Sequence, residues 1–184
     1  MNILVTGANG QLGKSLQKIS SQYNDVNLYP SDLPGLDITN LSSIEKKIEE
    51  TGAQAIINCA AYTAVDKAED EPSLARHVNA VGPEMLAKAA TNKEVFLVHI
   101  STDYVFNGKN YKPYTERDKT NPMSIYGRTK LEGEKAVRKF AKNGAILRTS
   151  WLYSEYGHNF VKTMLRLGAQ RNTLSVIYDQ LGTP

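Results

Sequence analysis

The chain has 184 residues, 41% hydrophobic and 22% charged, with 22 Lys and Arg against 19 Asp and Glu for a formal net charge of +3. That composition excludes a disordered or fibrous protein and suits one soluble globular domain, while so even a balance leaves no basic stripe for nucleic acid or an anionic membrane surface. The single cysteine, Cys59, excludes an intramolecular disulfide and a multi-cysteine zinc site. Met1 runs through Ile3-Leu4-Val5 straight into a glycine motif, without the apolar stretch of a signal peptide or a membrane span, so a cytoplasmic location is expected.

Short runs rich in Val, Ile or Leu read as strands over residues 2–6, 26–29, 55–60, 95–101, 145–149 and 174–177. Between them, residues 11–20 carry Leu12, Leu16 and Ile19 at helical spacing, and Ser42 with Glu45 forms a capping box ahead of Ile44 and Ile48. Longer helices are expected over 74–90 and 125–140, and a shorter one over 159–167. This alternation predicts an α/β fold: a doubly wound parallel sheet of Rossmann type in a three-layer α/β/α arrangement. Residues 107–123, holding Gly108, Pro113 and Pro122, read as a long surface loop of the kind that serves as a lid or binding loop. Residues 179–184 read as the start of a connection.

Thr6-Gly7-Ala8-Asn9-Gly10-Gln11-Leu12-Gly13 follows the first strand and opens the first helix. Glycines at this spacing let the backbone turn tightly and admit a pyrophosphate to the helix N-terminus, where free N–H groups and the helix dipole favour an anion. An acidic residue is then expected roughly 20 positions on to meet the adenosine ribose. Asp32 stands there, although a solvated turn aspartate is an equal alternative for it. Asp37 with Ile38 offers a second adenosine contact, the carboxylate to the adenine amino group and the isoleucine over the ring.

Tyr126 and Lys130 lie four residues apart and share one helix face. A cation near a phenol stabilises phenolate and brings the tyrosine towards working pH, although a chance pair on a solvated face would look the same. The strand over 95–101 leads into Ser101-Thr102-Asp103-Tyr104, at the carboxyl edge where doubly wound sheets bind ligands. Thr102 could hydrogen-bond a substrate carbonyl there or merely cap the strand. His77, His99 and His158 have no metal spacing and read as structural, Cys59 reads as a small buried hydrophobe, and no metal site is proposed.

The glycine turn, the Ser-Thr-Asp strand end and the Tyr-x-x-x-Lys helix together resemble the extended short-chain dehydrogenase/reductases. More narrowly, residues 58–69, 101–106 and 148–151 resemble the dTDP-4-dehydrorhamnose reductase family. The resemblance implies reduction, by NADPH or NADH, of the C4 keto group of dTDP-4-dehydro-L-rhamnose to dTDP-L-rhamnose. It makes Thr102, Tyr126 and Lys130 the catalytic triad, with Tyr126 the proton donor and Lys130 on the nicotinamide ribose. It places Gly7, Gly10, Gln11 and Leu12 at the pyrophosphate, beside the motif's third glycine Gly13, Asp37 and Ile38 at the adenosine half, and Ala61, Tyr62 and Thr63 further along the cofactor. Asp103 and Trp151 would touch the sugar nucleotide, although Trp151 also suits a core anchor.

Some family members hold magnesium through a glutamate on the first helix, where this chain has Lys14 and Ser15, so that site is doubtful. The family continues into a C-terminal substrate domain expected to be absent after residue 184, making residues 1–184 one dinucleotide-binding domain. Family members often dimerise, so a homodimer stays open. Two other functions also stay open: an NAD-dependent sugar-nucleotide epimerase or dehydratase, and a non-catalytic subunit resembling the regulatory subunit of methionine adenosyltransferase.

Overall fold

The structure, a computed structural model, describes residues 1–176. Strands β1 (Asn2–Thr6), β2 (Asn27–Ser31), β3 (Ala55–Asn58), β4 (Phe96–Thr102) and β5 (Gly144–Thr149) form one parallel sheet in the order β2-β1-β3-β4-β5. The chain leaves β1 towards β2 on one side and returns as β3 on the other. That reversal is the switch point where open α/β sheets bind ligands beyond the strand ends. The strand expected over 174–177 is not formed over 174–176, where Val176 is exposed, and among the described residues no further strand pairs with β5. Ile177 and the connection expected over 179–184 lie outside the described residues.

Alternation along the central strands sends successive side chains to opposite faces. Leu4, Ile56 and Leu97 pack on one face against Ile44 and Ile48 of α2 (Leu41–Thr51), Leu86 of α5 (Gly82–Asn92) and Val137 of α6 (Ile125–Phe140). Ile3 and Val5, with Ala55 and Ile57, pack on the other against Leu16 of α1 (Gln11–Ser20). The sheet is therefore covered on both sides, and each fully buried Leu or Ile contributes ~1.5–3 kcal/mol. Ile19, expected on the same inward stripe of α1, is instead exposed near the helix end.

Two local readings of the sequence are corrected. Helix α2 is capped by Asn40, whose Oδ1 accepts from the Ser43 amide at 3.0 Å, so Ser42 lies inside the first turn. Glu45 accepts from Asn92 on α5 instead of closing a capping box. Asn is as good a cap as Ser, and it comes first here. The single helix expected over 74–90 is three pieces: α4 (Pro72–Arg76), a π-helical turn over His77–Val81, and α5. Pro83 has no N–H to give the Asn79 carbonyl, and the Gly82 amide reaches back to His77, the wider spacing of a π turn. A further short helix, α3 (Val65–Asp70), precedes them.

Helix α6 is fixed to the sheet by a buried charge cluster. Glu134, fully buried, accepts hydrogen bonds from Ser101 Oγ at 2.7 Å, from Arg148 Nε and Nη2 at 2.8 and 2.7 Å, and from Arg138 at 3.0 Å. Burial pushes its carboxyl up, but the bonds from Arg148 and Ser101 and the two guanidinium charges outweigh it and hold it below the usual carboxylate range. Glu134→Ala leaves the mostly buried Arg148 charge without its partner. It is expected to cost ~3–5 kcal/mol, read as a fall in the urea midpoint at unchanged slope.

Residues 107–123 form a loop without helix or strand, as expected. The loop is anchored by Tyr114 stacked on Phe106 at 4.1 Å and by the Asn121 amide bonded to the Val105 carbonyl. Helix α7 (Phe160–Gly168), capped by Asn159, buries none of its residues. Among the described residues, no helix is long and apolar enough to cross a membrane.

Candidate active site

The turn between β1 and α1 is shaped by contacts that admit no side chain. Gly7 has φ +65°, and a Cβ on it would lie 2.5 Å from the Ala60 amide nitrogen; one on Gly13 would lie 2.6 Å from Ala8 Cα. Gly10 occupies the N-cap position of α1 and offers no side-chain oxygen, so no side chain caps the first turn. Gly7 thus closes on Ala60 and Gly13 on Ala8, and the compact turn leaves the uncapped N-terminal amides of α1 in a cradle that Gly7, Gly10, Gln11 and Leu12 line along the cleft, which fits a pyrophosphate.

Side chains from neighbouring elements lock that turn in place. Asp32, just after β2, accepts from the Asn9 amide with one oxygen and from the Leu33 amide with the other, both at 2.9 Å. Asp37 accepts from the Thr39 amide and hydroxyl, which hold its carboxyl below the usual range. Inside the sheet, Thr6 Oγ1 donates to Asn58 Oδ1 at 2.7 Å, and Asn58 Nδ2 reaches His99 Nδ1 at 2.9 Å. Asn58 Oδ1 also accepts from the Ala60 amide, setting the backbone against which Gly7 closes. Asn79, in the π turn, accepts from the Tyr62 amide at 2.8 Å and donates to the Tyr62 carbonyl at 3.1 Å, clamping residues 61–63.

His99 was expected to be a satisfied structural histidine, and one nitrogen is; its buried Nε2 has no partner among the described residues. Burial, with the Lys130 charge beside it, holds the imidazole well below its ordinary value and therefore neutral. Cys59 is half-buried, and burial pushes its thiol up to about 12, so it is an inert thiol at neutral pH.

Thr102 ends β4, while Tyr126 and Lys130 project from the first two turns of α6. Ser124 caps that helix, accepting from the Gly127 amide, and Gly127 lets α6 press onto the Tyr104 carbonyl. Lys130 is 2% exposed, and its Nζ donates to the Ile100 carbonyl at 2.7 Å. Burial lowers its pKa to about 8 against the raising influence of Glu134. Burial likewise raises the Tyr126 phenol above its ordinary range, while a hydrogen bond with Thr102 pulls it down and Asp103 and Tyr104 push it further up. The expectation that Lys130 depresses this phenol is thus not met in this state: the ammonium faces Ile100, and burial dominates. Asp103 is itself raised, chiefly by burial.

One cleft of about 850 Å³ runs along these strand ends. It is lined by Gly7, Gly10, Gln11, Leu12, Asp32, Asp37, Ile38, Ala61, Tyr62, Thr63, Thr102, Asp103, Tyr126, Lys130 and Trp151. Of the residues expected at the site, Gly13 alone does not face it, because it lies beneath the turn against Ala8. His77 and His158, expected to be structural, line the cleft, as do Leu36 and Val78 near Asp37. Asn58 also escaped the sequence expectations as a site-shaping residue, the available signal being an asparagine in a buried strand beside Ile56 and Ile57. Lys14 and Ser15 supply no carboxylate on α1, so a glutamate-held metal does not fit there. Among the described residues, no three His, Cys, Asp or Glu side chains gather as a metal site.

Comparison with known proteins gives this geometry its setting. The family described as RmlD substrate binding domain matches residues 1–184. The chain belongs to that family. It is 47% identical over its full length to a dTDP-4-dehydrorhamnose reductase of Sinorhizobium fredii and 43% identical to that of Escherichia coli K12, spanning 62% of each. The crystal structure of a dTDP-4-dehydrorhamnose reductase from Clostridium acetobutylicum superposes with a TM-score of 0.95 at 49% identity, over 100% of this chain and 65% of that one. The Bacillus anthracis dTDP-4-dehydrorhamnose reductase in complex with NADP superposes with a TM-score of 0.88 at 46% identity, over 92% of this chain and 60% of that one. The chain thus spans less than two thirds of the length of these family members.

Proposed function

We propose that residues 1–184 are the dinucleotide-binding part of a dTDP-4-dehydrorhamnose reductase, which reduces the C4 keto group of dTDP-4-dehydro-L-rhamnose with NADPH or NADH. The observation that carries this reading is the convergence of Thr102, Tyr126 and Lys130 on the cleft that also receives the uncapped N-terminus of α1. The reductase relatives, one of them a complex with NADP, support it.

The reduced nicotinamide, when bound, supplies the hydride. Tyr126, whose phenol is protonated at neutral pH and held above its ordinary range by burial, donates a proton to the oxygen that develops negative charge at C4. Thr102, at the end of β4, donates its hydroxyl hydrogen to the same oxygen, a smaller oxyanion contribution. Lys130 holds the ribose hydroxyls beside the nicotinamide. Its pKa near 8 rises when those hydroxyls replace lost hydration, so cofactor binding and charge on Lys130 favour each other. Gly7, Gly10, Gln11 and Leu12 take the pyrophosphate, Asp32, Asp37 and Ile38 the adenosine half, and Ala61, Tyr62 and Thr63 the stretch between. Asp103 and Trp151 face the sugar nucleotide.

The test is oxidation of NADH and of NADPH with dTDP-4-dehydro-L-rhamnose, using the chain extended to the length of its relatives. Turnover supports the reduction. Cofactor binding without turnover would overturn the substrate assignment and turn attention to another sugar nucleotide or a non-catalytic role.

A further inference from the structure

Gln11 belongs to two parts of the cleft at once. Its backbone opens α1 at the phosphate cradle, while its side chain turns away to residues more than a hundred positions later. Gln11 Nε2 donates to the Leu152 carbonyl at 2.9 Å, and Gln11 Oε1 accepts from Asn159 Nδ2 at 2.8 Å. Asn159 Nδ2 also donates to the Ser154 carbonyl at 2.8 Å, so one amide pair closes the base of the 152–159 segment. Gly157, at φ +64°, comes so near that an added Cβ would lie 3.5 Å from Gln11 Cβ.

The segment held in this way begins at Trp151. That residue has φ +51°, a conformation a bulky side chain rarely adopts, and its ring meets Phe160 edge-on at 5.7 Å. Trp151, Leu152 and His158 form the cleft wall beside Gln11. A non-glycine residue in the left-handed region persists only where its surroundings over-determine it, and the Gln11–Asn159 pair supplies that constraint.

We propose that Gln11 is a positioning residue that couples the phosphate-binding turn to the substrate side of the cleft, by fixing through Leu152 and Asn159 the segment that carries Trp151. The coupling rests on the reading of this cleft as a dinucleotide site. Filling the phosphate cradle holds the first turn of α1 still, hence the Gln11 side chain, hence Trp151; by reciprocity, a ligand seated on Trp151 tightens the dinucleotide.

Trp151 is the only tryptophan of the chain, so its emission reports the segment directly. The variant is Asn159→Asp. It retains the oxygen that caps α7 through the Lys162 amide but puts a carboxylate against Gln11 Oε1 and the Ser154 carbonyl in place of a donor. Acrylamide quenching of the 184-residue chain is measured with and without NADP⁺, whose binding is followed by calorimetry. In the parent, NADP⁺ is expected to lower the quenching constant. In Asn159→Asp the constant rises about twofold and no longer responds to NADP⁺, although NADP⁺ still binds with a Kd within about threefold of the parent.

Glu155→Gln weakens the exposed Lys18–Glu155 pair on the same segment and serves as the control, with quenching expected to match the parent. Gln11→Ala, read by quenching without cofactor, gives the same rise by an independent route. Quenching of both latch variants at the parent's value, or equal protection by NADP⁺ in parent and Asn159→Asp, overturns the coupling alone. Failure of NADP⁺ to bind the parent overturns the dinucleotide reading, and the coupling with it.

Discussion

Tyr126→Phe in the chain extended to its relatives' length is expected to lower kcat for reduction of dTDP-4-dehydro-L-rhamnose by ~10²–10⁴-fold, the range over which a positioned proton donor acts. The effect is separable from folding because the ring, not the hydroxyl, does the packing. Tyr126 is buried against Ala68 and Ala75 and meets Tyr104 edge-on at 5.4 Å, contacts that phenylalanine retains. The removed hydroxyl leaves a hydrogen bond with Thr102, and threonine keeps other partners in Asp103 and the Tyr104 amide. Thermal stability and the Kd of NADPH should therefore stay close to the parent values while turnover collapses. Steady-state kinetics together with nicotinamide fluorescence would decide it. Turnover within about threefold of the parent would remove Tyr126 from the chemistry and leave Thr102 as the remaining hydroxyl at the site.

What the sequence made legible follows the range of each signal. Strands β1, β3 and β4 and helices α1 and α6 could be read to within a few residues, because continuous Val/Ile/Leu runs and 3.6-residue periodicity are local and strong. The glycine turn was legible because Gly7 and Gly13 answer backbone contacts that only glycine tolerates. The break of 74–90 into two helices around a π turn was not, since it depends on which carbonyl Pro83 strands and on how α6 accommodates it at Gly133. Asn58 was invisible as a site-shaping residue for the same reason: it joins β3 to His99 on β4, 41 positions away. The Glu134 cluster likewise unites β4, β5 and α6 and has no sequence period at all. The depression of the Tyr126 phenol by Lys130 failed as a reading because spacing sets which side chains share a face, whereas burial decided both pKa values.

Lys130→Met is expected to make the cofactor-free protein more stable at pH 7 while removing the ammonium proposed to hold the cofactor, a trade forced by the burial of one ammonium. In the native chain the Lys130 pKa is lowered to about 8 from 10.5. At 1.36 kcal/mol per pKa unit that difference penalises the folded state by ~3 kcal/mol wherever the group is charged in both states. Between pH 8 and 10.5 the unfolded chain holds a proton that the native chain has released, so stability rises with pH across that window. The penalty is complete below pH 8 and gone above 10.5. Methionine carries a similar apolar length without the charge. It forfeits the hydrogen bond from the ammonium to the Ile100 carbonyl, worth ~1.5–3 kcal/mol, leaving a net gain of up to ~1.5 kcal/mol. For a chain of this size that is up to ~3–6 °C in Tm at pH 7, shrinking and then reversing as pH rises towards 10. On the proposed role of Lys130 at the ribose hydroxyls, NADPH should raise the Tm of the parent and leave that of the variant almost unmoved. Thermal unfolding at pH 7 and pH 10, each with and without NADPH, gives the four values that decide it. A variant less stable than the parent at pH 7 would mean that the buried ammonium is already compensated by its surroundings and is not held in reserve for the cofactor.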